Sequence, residues 1–337
     1  MVGIALDVMG GDYAPQEVLK GAQEALKASK DIFLYLVGAQ EALSEFPGHE
    51  RVSKVVASQW VKMDEAPSEA LRKKPDSSIL RAFELVKKGK AQAVVSAGNS
   101  GATYACALFT LGRISGVMRP AIATVLPTLK NPAVLIDAGA NVDCKPAHLL
   151  QFAFMGSLFA ERILGIQNPR VGLLSIGEEG GKGNFLVKRA HALLSESPLN
   201  YIGNIEGRHI YLGEAEVIVC DGFVGNICLK VSEGVAEAVA EMLKAEVKKD
   251  PLAILGFSLA RRALKRFRKR TDWREYGGAP LLGVNGVVII GHGRSDARAI
   301  KNAILVAQKF VETGLTERLG KALHQKSKSL KENQAIQ

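Results

Sequence analysis

Cysteine is scarce in this chain. Its 337 residues carry four, at positions 106, 144, 220 and 228, and no two form a Cys-x-x-Cys pair. A disulfide scaffold is thereby excluded, and the thiols read as structural residues of a reduced, cytoplasmic protein. The six histidines are scattered without His-x-x-x-His spacing, so the usual zinc signature is missing. No stretch approaches the ~18 uninterrupted apolar residues of a membrane span. The start, Met1 to Asp7, lacks the basic and long apolar regions of a signal peptide and reads as a first β-strand. There is no repeat of fixed period, and the 34 glycines follow no collagen-like order. Nucleotide loops are missing too. The first turn lacks Gly-x-Gly-x-x-Gly, and around Lys182 only three residues separate Gly177 from Gly181, with Gly183 where a Walker loop needs Ser or Thr.

What is present is ordinary globular material, 47% hydrophobic and 23% charged, ample for a core. The length suits a single α/β catalytic domain over residues 1–320, followed by a polar tail at 321–337 expected to fray. Net charge is +10, and the excess is local. Between Lys244 and Arg274 eleven Lys and Arg face three acids. Such a patch fits an anionic membrane, an acidic protein or nucleic acid. No nucleic-acid module surrounds it, so nucleic acid is not expected as a partner.

Short β-branched runs alternate with helical patterns. Strands are expected at 2–7, 32–37, 52–57, 93–96, 121–126, 133–137, 171–175, 201–205, 216–220 and 287–290. Helices are expected at 15–28, 77–88, 101–111, 146–164, 184–195, 225–249 and 296–313. Several strands are apolar at nearly every position, as when both faces are covered. This predicts a doubly wound α/β fold with a mainly parallel sheet. Strands end in small polar residues and glycines, and ligands in such folds bind where those turns collect, beyond the carboxyl ends of the strands.

Five turns carry residues suited to chemistry. Asp7-Val-Met-Gly10-Gly11-Asp12 offers backbone close to a ligand between two carboxylates, or a tight turn with Asp12 capping the next helix. In Ser96-Ala-Gly-Asn99-Ser100-Gly101-Ala102, helix N–H groups with Asn99 and Ser100 suit a phosphate or an oxyanion. The run Gly177-Glu-Glu-Gly-Gly-Lys182-Gly183-Asn184 supplies a cation on a glycine loop. In Asp221-Gly222-Phe223-Val-Gly-Asn226, Phe223 covers an acyl chain or plugs the sheet end, and Asn226 caps a helix or donates to substrate. Asp137-Ala-Gly-Ala-Asn141 is equally open. Cys144 follows it, with no histidine at a telling position for a nucleophilic cysteine.

The basic segment at about 250–274 places Leu252, Leu255, Leu259, Ala263 and Phe267 at helical spacing, with Phe257 nearby. Arg261, Arg262, Lys265 and Arg266 crowd around that stripe. This is the pattern of a helix lying in a membrane interface, protruding from the domain. An ordinary helix packing its stripe on the core or on a second copy shows the same periodicity.

Together the motifs resemble one family, the phosphate acyltransferases of bacterial phospholipid synthesis. The resemblance spans roughly Ile4 to Thr313. It rests on the five turns above together with Ser68–Lys74, Asp76-Ser-Ser78, Arg119–Thr124, Gly277–Gly283 and His292-Gly-Arg-Ser-Asp296. Tyr13, Ser100 and His209 depart from the family pattern, which often has His, Thr and an acid at those places. The resemblance implies a fold like that of phosphate acetyltransferases and the isocitrate dehydrogenase group. It also implies a homodimer and loose attachment to the inner face of the cell membrane. Its substrates are fatty acyl-[acyl carrier protein] and orthophosphate, and a membrane acyltransferase downstream takes the acyl phosphate.

Under this resemblance the chemistry is simple. Phosphate is already an anion and needs placement beside a thioester, plus stabilisation of the oxyanion that forms. Lys182 is expected to stabilise that charge. Asn226 makes phosphate or carbonyl contacts, and His292 protonates the leaving thiolate. Asp7, Gly10, Gly11, Asn99, Ser100, Gly101, Asn141, Gly183, Asn184, Gly222 and Phe223 form the remaining substrate and phosphate contacts. Leu255, Phe257, Leu259, Arg261, Arg262, Lys265 and Arg266 meet the membrane or the carrier protein. No metal, nucleotide or other cofactor is called for. Two other readings stand beside this one. An isocitrate-type NAD(P) dehydrogenase would need an acid cluster and a nucleotide loop. A non-enzymatic membrane-surface adaptor would leave the glycine turns idle.

Overall fold

The computed structural model describes residues 1–321; the polar run expected after them lies outside the described residues. The first part of the chain runs β1 (Val2–Asp7), α1 (Gln16–Ala28), β2 (Ile32–Gly38), α2 (Gln40–Ser44), β3 (Val52–Val56), α3 (Pro67–Lys73), α4 (Ser78–Lys87), β4 (Ala93–Ser96) and α5 (Ser100–Cys106). The middle runs β5 (Ala121–Leu126), β6 (Ala133–Ile136), α6 (Pro146–Phe159), β7 (Val171–Leu174), α7 (Phe185–Ser195), β8 (Tyr201–Ile205), α8 (Gly207–Leu212), β9 (Val217–Val219) and α9 (Gly222–Lys249). The last part runs α10 (Pro251–Leu259), α11 (Arg261–Thr271), β10 (Ala279–Leu282), β11 (Val287–Ile290) and α12 (Ala297–Thr313).

The strands form one sheet in the order β3-β2-β1-β4-β11-β10-β5-β6-β9-β7-β8. Pairing is parallel from β3 to β11 and again from β6 to β8. Between these halves, β10 is antiparallel to β11 and to β5, and β5 is antiparallel to β6. Three successive reversals leave the two parallel halves pointing in opposite directions. The sheet is mainly parallel, as expected, but its glycine turns do not collect at one end. Those after β1, β4 and β11 lie at one end, and those after β6, β7 and β9 at the other.

Alternating side chains cover both faces. On one face Ile4, Leu6, Ala93, Val95, Val134 and Ile136 join α1, α6, α7 and α12 in one continuous core. Helix α12 buries the large side chains of Ile300, Ile304 and Phe310, with Ala307 completing the three- and four-residue spacing. Each such side chain contributes about 1.5–3 kcal/mol. Gly21 lets α1 approach α12, because a Cβ there would fall 2.6 Å from Ile300. The other face is split. Ala5, Val94 and Val288 lie under α4 and α5, and Leu135 and Ile218 lie under α8 and the first turns of α9. The gap between these two cores, over β5, is where the site forms.

The structure adds the short helices α2, α3 and α8 to those expected, and it departs from the sequence expectation in three further places. Strand β10 was not expected, since Pro280 and flanking glycines argue against a strand. Helices 101–111 and 146–164 exist, but each ends in a wider π-type turn, at Ala107–Leu111 and Ala160–Leu164. The apolar stripe through 252–267 is not one helix. Ala260, with ψ near 2°, separates α10 from α11. Leu252, Leu255 and Leu259 stay exposed on α10, while Phe267 turns to the mouth of a cavity.

Candidate active site

Over β5 lies a cavity of about 1220 Å³, larger than the roughly 300–1,000 Å³ of ordinary ligand pockets. Its walls are mostly apolar: Ile122 and Leu126 from β5, Leu129 beyond it, Tyr211 and Leu212 from α8, and Trp273 after α11. Its polar groups come from both ends of the sheet. Asp12, Ser100 and His292 follow strands of the first half, and Asn226 follows β9 of the second.

At the first end, Asp7 is buried and accepts from the Ser96 hydroxyl at 2.8 Å and from the Met9 amide at 3.3 Å. Burial pushes its carboxyl above the usual range, against the pull of the Ser78 and Ser96 hydroxyls. Gly10 is required beside it, since a Cβ would lie 2.7 Å from Asp7 Oδ2 and from the Gly98 amide nitrogen. The Asp12 amide donates to Gly293 at 2.8 Å, which docks the first turn on the turn after β11. Asp12 does not cap a helix. The N-cap of α1 is Pro15, without a side-chain bond, and Asp12 lines the cavity instead. Asn99 caps α5 by accepting from Ala102 at 3.0 Å, and its amide donates to the carbonyls of Met63 and Glu65. Its side chain is thus engaged within the protein, and Gly98 and Ser100 are the residues of this turn on the cavity wall. Gly101 packs on Pro67.

At the other end, the buried carboxylate of Asp137 organises its turn. It accepts from the amides of Ile122, Gly139, Ala140 and Asn141 and from the Asn141 side chain, at 2.7–3.2 Å. The Asn141 side chain also donates to Pro120 at 2.7 Å. Asn141 is therefore a buried brace, not a wall residue. Gly222 and Gly225 press the start of α9 onto this turn, and a Cβ on Gly225 would collide with the Asp137 carbonyl. Asp221 caps α9, accepting from Val224 at 2.9 Å. That leaves Asn226 at the cavity beside Gly139. Phe223 is exposed outside the cavity wall.

Helix α9 connects the two ends. Its 28 residues extend about 42 Å. Asn226, Lys230, Glu233 and Glu237 fall on the cavity face, and at the far end they meet the turn after β11. Lys230 Nζ lies 2.8 Å from Glu233 and 3.4 Å from His292 Nε2. Arg294 pairs with Glu237 at 2.9 Å. His292 Nδ1 accepts from the Arg294 amide at 3.1 Å, and its ring packs against Trp273 with centroids 5.0 Å apart. Burial, and then the Lys230 cation, hold the imidazole below its usual pKa, so it is neutral at pH 7. Lys230 and Glu233 were not singled out from sequence. Inside a long helix they read as an ordinary i,i+3 surface pair.

Lys182 is exposed on the loop after β7 and does not line the cavity. Gly183 adopts a left-handed φ of 97°, and Asn184 caps α7 through Val187 at 2.9 Å. Strands β7 and β9 are paired neighbours, so the Lys182 loop and Asn226 rise from adjacent strands at one end. His209 folds back on the start of α8, where the Glu206 amide donates to its Nδ1 at 3.3 Å. Tyr13 is exposed. Arg261, Arg262, Lys265 and Arg266 are exposed on α11, and Phe257 is half-buried on α10. Burial raises the Cys144 thiol to about 12 and the Cys106 thiol likewise, far from a nucleophilic thiolate. Among the described residues no helix is long and apolar enough to cross a membrane, and no group of three or more His, Cys, Asp or Glu is placed to hold a metal.

The fold is shared with known structures. A phosphotransacetylase from Streptococcus pyogenes matches with a TM-score of 0.58 at 17% identity, over 92% of this chain and 94% of that one. A branched-chain phosphotransacylase from Enterococcus faecalis V583 matches with a TM-score of 0.57 at 16% identity, over 92% and 100%. The class is therefore a mixed-sheet α/β protein with a phosphate acetyltransferase-like fold. A family model described as "Fatty acid synthesis protein" matches residues 2–318. Phosphate acyltransferases from Heliobacterium modesticaldum and Desulforudis audaxviator are 55% and 51% identical to this chain. The first match covers 92% of this chain and 94% of the relative, the second 93% of each. The chain belongs to this fatty acid synthesis family, with the phosphate acyltransferases, and it is an enzyme.

Proposed function

We propose that this enzyme transfers a fatty acyl group from the thioester of acyl carrier protein to orthophosphate. The observation that carries the reading is the cavity itself, large and apolar along β5 and α8, yet bordered by the polar side chains of Ser100, Asn226 and His292. The apolar part takes the acyl chain. The polar groups place phosphate beside the thioester carbonyl.

A phosphate oxygen attacks the carbonyl carbon, and the carbonyl oxygen becomes an oxyanion. The carbon–sulfur bond then breaks, leaving acyl phosphate and the carrier's thiolate, which takes a proton. Neutral donors at Asn226 and Ser100 stabilise the oxyanion. His292, with Nδ1 occupied, presents Nε2 to the reacting groups. Lys182 joins this set when its glycine loop closes over the bound thioester from the neighbouring strand.

Three further features fit the reading. Ile227, Val231, Val235 and Val239 form an exposed apolar stripe on α9, away from the cavity. We assign it to a second copy of the chain. Leu252, Leu255 and Leu259, beside the Arg and Lys of α11, are assigned to the anionic inner face of the cell membrane, where a membrane acyltransferase takes the product. The exposed cations of α11 also complement an acidic carrier protein.

Mass spectrometry of products from long-chain acyl carrier protein tests the reaction. Acyl phosphate and free carrier should appear only with orthophosphate. No turnover at any chain length overturns the proposal. In the same assay Lys182→Ala should lower the rate about tenfold or more, and an unchanged rate removes Lys182 from the mechanism.

A further inference from the structure

The cavity wall carries a cation that the mechanism above leaves idle. Resting on the acyl-transfer reading, we propose that Lys230 receives the phosphate anion, that Glu233 holds its ammonium in place until the anion arrives, and that His292 is the second donor to that anion.

The placement comes from α9. Lys230 lies one turn beyond Asn226 on the same helix face, so both side chains border one cavity. Its ammonium sits between two elements, 2.8 Å from Glu233 on its own helix and 3.4 Å from His292 Nε2 on the turn after β11. The other basic side chain of this wall, Arg294, is paired with Glu237 at 2.9 Å.

The tautomer of His292 follows from its other nitrogen. Nδ1 accepts the Arg294 amide at 3.1 Å, so the proton of a neutral ring is on Nε2. Two donors, the ammonium and the Nε2–H group, therefore face each other across 3.4 Å. Donors do not hydrogen-bond to each other. Glu233 Oε2, at 2.8 Å from the first and 3.9 Å from the second, is the acceptor now beside both. An oxygen of phosphate in that place accepts from both donors and replaces one anion with another. The exchange preserves charge pairing for Lys230, and Glu233, at the cavity edge, is freed toward solvent. Phosphate brings more charge and more acceptor oxygens than a carboxylate, so the exchange favours it.

The test is calorimetric titration of the full chain with inorganic phosphate, alongside steady-state kinetics. Lys230→Met should weaken phosphate binding about tenfold or more. The KM for phosphate should rise while that for the acyl thioester is unchanged. Lys230→Arg should restore most of the binding, and Glu233→Gln should tighten it by releasing the ammonium. The proposal is overturned if Lys230→Met keeps the wild-type melting temperature and the wild-type phosphate affinity. It is overturned equally if the wild-type chain shows no saturable phosphate binding. Weaker binding in Glu233→Gln removes the holding role of Glu233. If Lys230→Met does not fold, Lys230→Arg and Glu233→Gln carry the decision. Failure of the acyl-transfer reading looks different: the wild-type enzyme makes no acyl phosphate, whatever the titration shows.

Discussion

Arg274 donates to Asp296 at 2.9 Å and, through two nitrogens, to Asp272 at 2.8 Å each. Asp296 caps α12, accepting from Ala299 at 3.0 Å. One guanidinium thus ties the end of α11, and the Trp273 that follows, to the start of the helix behind the sheet. Asp272 is buried, so its charge depends on this partner. Arg274→Met should cost about 3–5 kcal/mol, because it leaves that buried carboxylate only the longer contact to Arg298. The shift of the urea unfolding midpoint measures it. Loss below about 1 kcal/mol would show that Arg298, 3.3 Å from Asp272, compensates.

Gly225 gives a test of sign. Glycine inside a helix is usually about 1 kcal/mol worse than alanine. Here the alanine methyl would meet the Asp137 carbonyl, a backbone atom that cannot swing aside. Gly225→Ala should therefore destabilise by about 1–3 kcal/mol or more and lower activity by shifting Asn226. A more stable variant would mean that α9 tilts freely from the β6 turn.

The Asp7 carboxyl fixes a pH dependence. Burial raises its folded pKa above its unfolded value, so the native state favours the protonated form. Its contribution to stability is fully present below the unfolded pKa of about 4 and is lost as pH rises through the raised value. Asp7→Asn keeps a neutral side chain, and the serine hydroxyls can reorient to it. The variant should melt higher than wild type at pH 7 and at nearly the same temperature near pH 3.5. Equal melting curves at both values would show that the Ser78 and Ser96 bonds fully offset burial.

Leu255 and Leu259 are 59% and 80% exposed. Replacing both with Glu should release the protein from anionic phosphatidylglycerol vesicles in a flotation assay, while turnover of soluble substrate persists. Retained flotation would move the lipid contact to another surface.

Most strands were legible because both faces of the sheet are covered, and a run such as Val2–Asp7 or Ala133–Ile136 has few other homes. Strand β10 was hidden by Pro280, tolerated because the strand is only four residues long and switches partners along its length. It pairs with β11 at Ala279 and Pro280, then with β5 at Leu281 and Leu282. The two reversals around that strand cancel, and the halves oppose each other because β5 pairs antiparallel with β6, a pairing that the alternation of strands and helices does not reveal. In the site, Ser100, Asn226 and His292 were legible as residues on turns. The structure brings these three to one cavity and leaves Lys182 outside its wall. Lys230 and Glu233 were not legible, because their significance lies in a neighbour 62 positions away, His292, which no local pattern reveals.

Helix α9 works as a fixed spacer. Between Asn226 and Glu237 it advances roughly 16 Å, with Lys230 beside His292 part-way along and Glu237 paired to Arg294 at the end of that span. Its opposite side carries the Val231–Val235–Val239 stripe. The two faces share one phase. Deleting a single residue after Asn226 would rotate everything beyond it by about 100°. The His292 end of the cavity and the outer apolar stripe would then fall out of alignment together. The cavity wall at Lys230 and the outer apolar stripe are set by the same helical register, so neither can drift in sequence without the other.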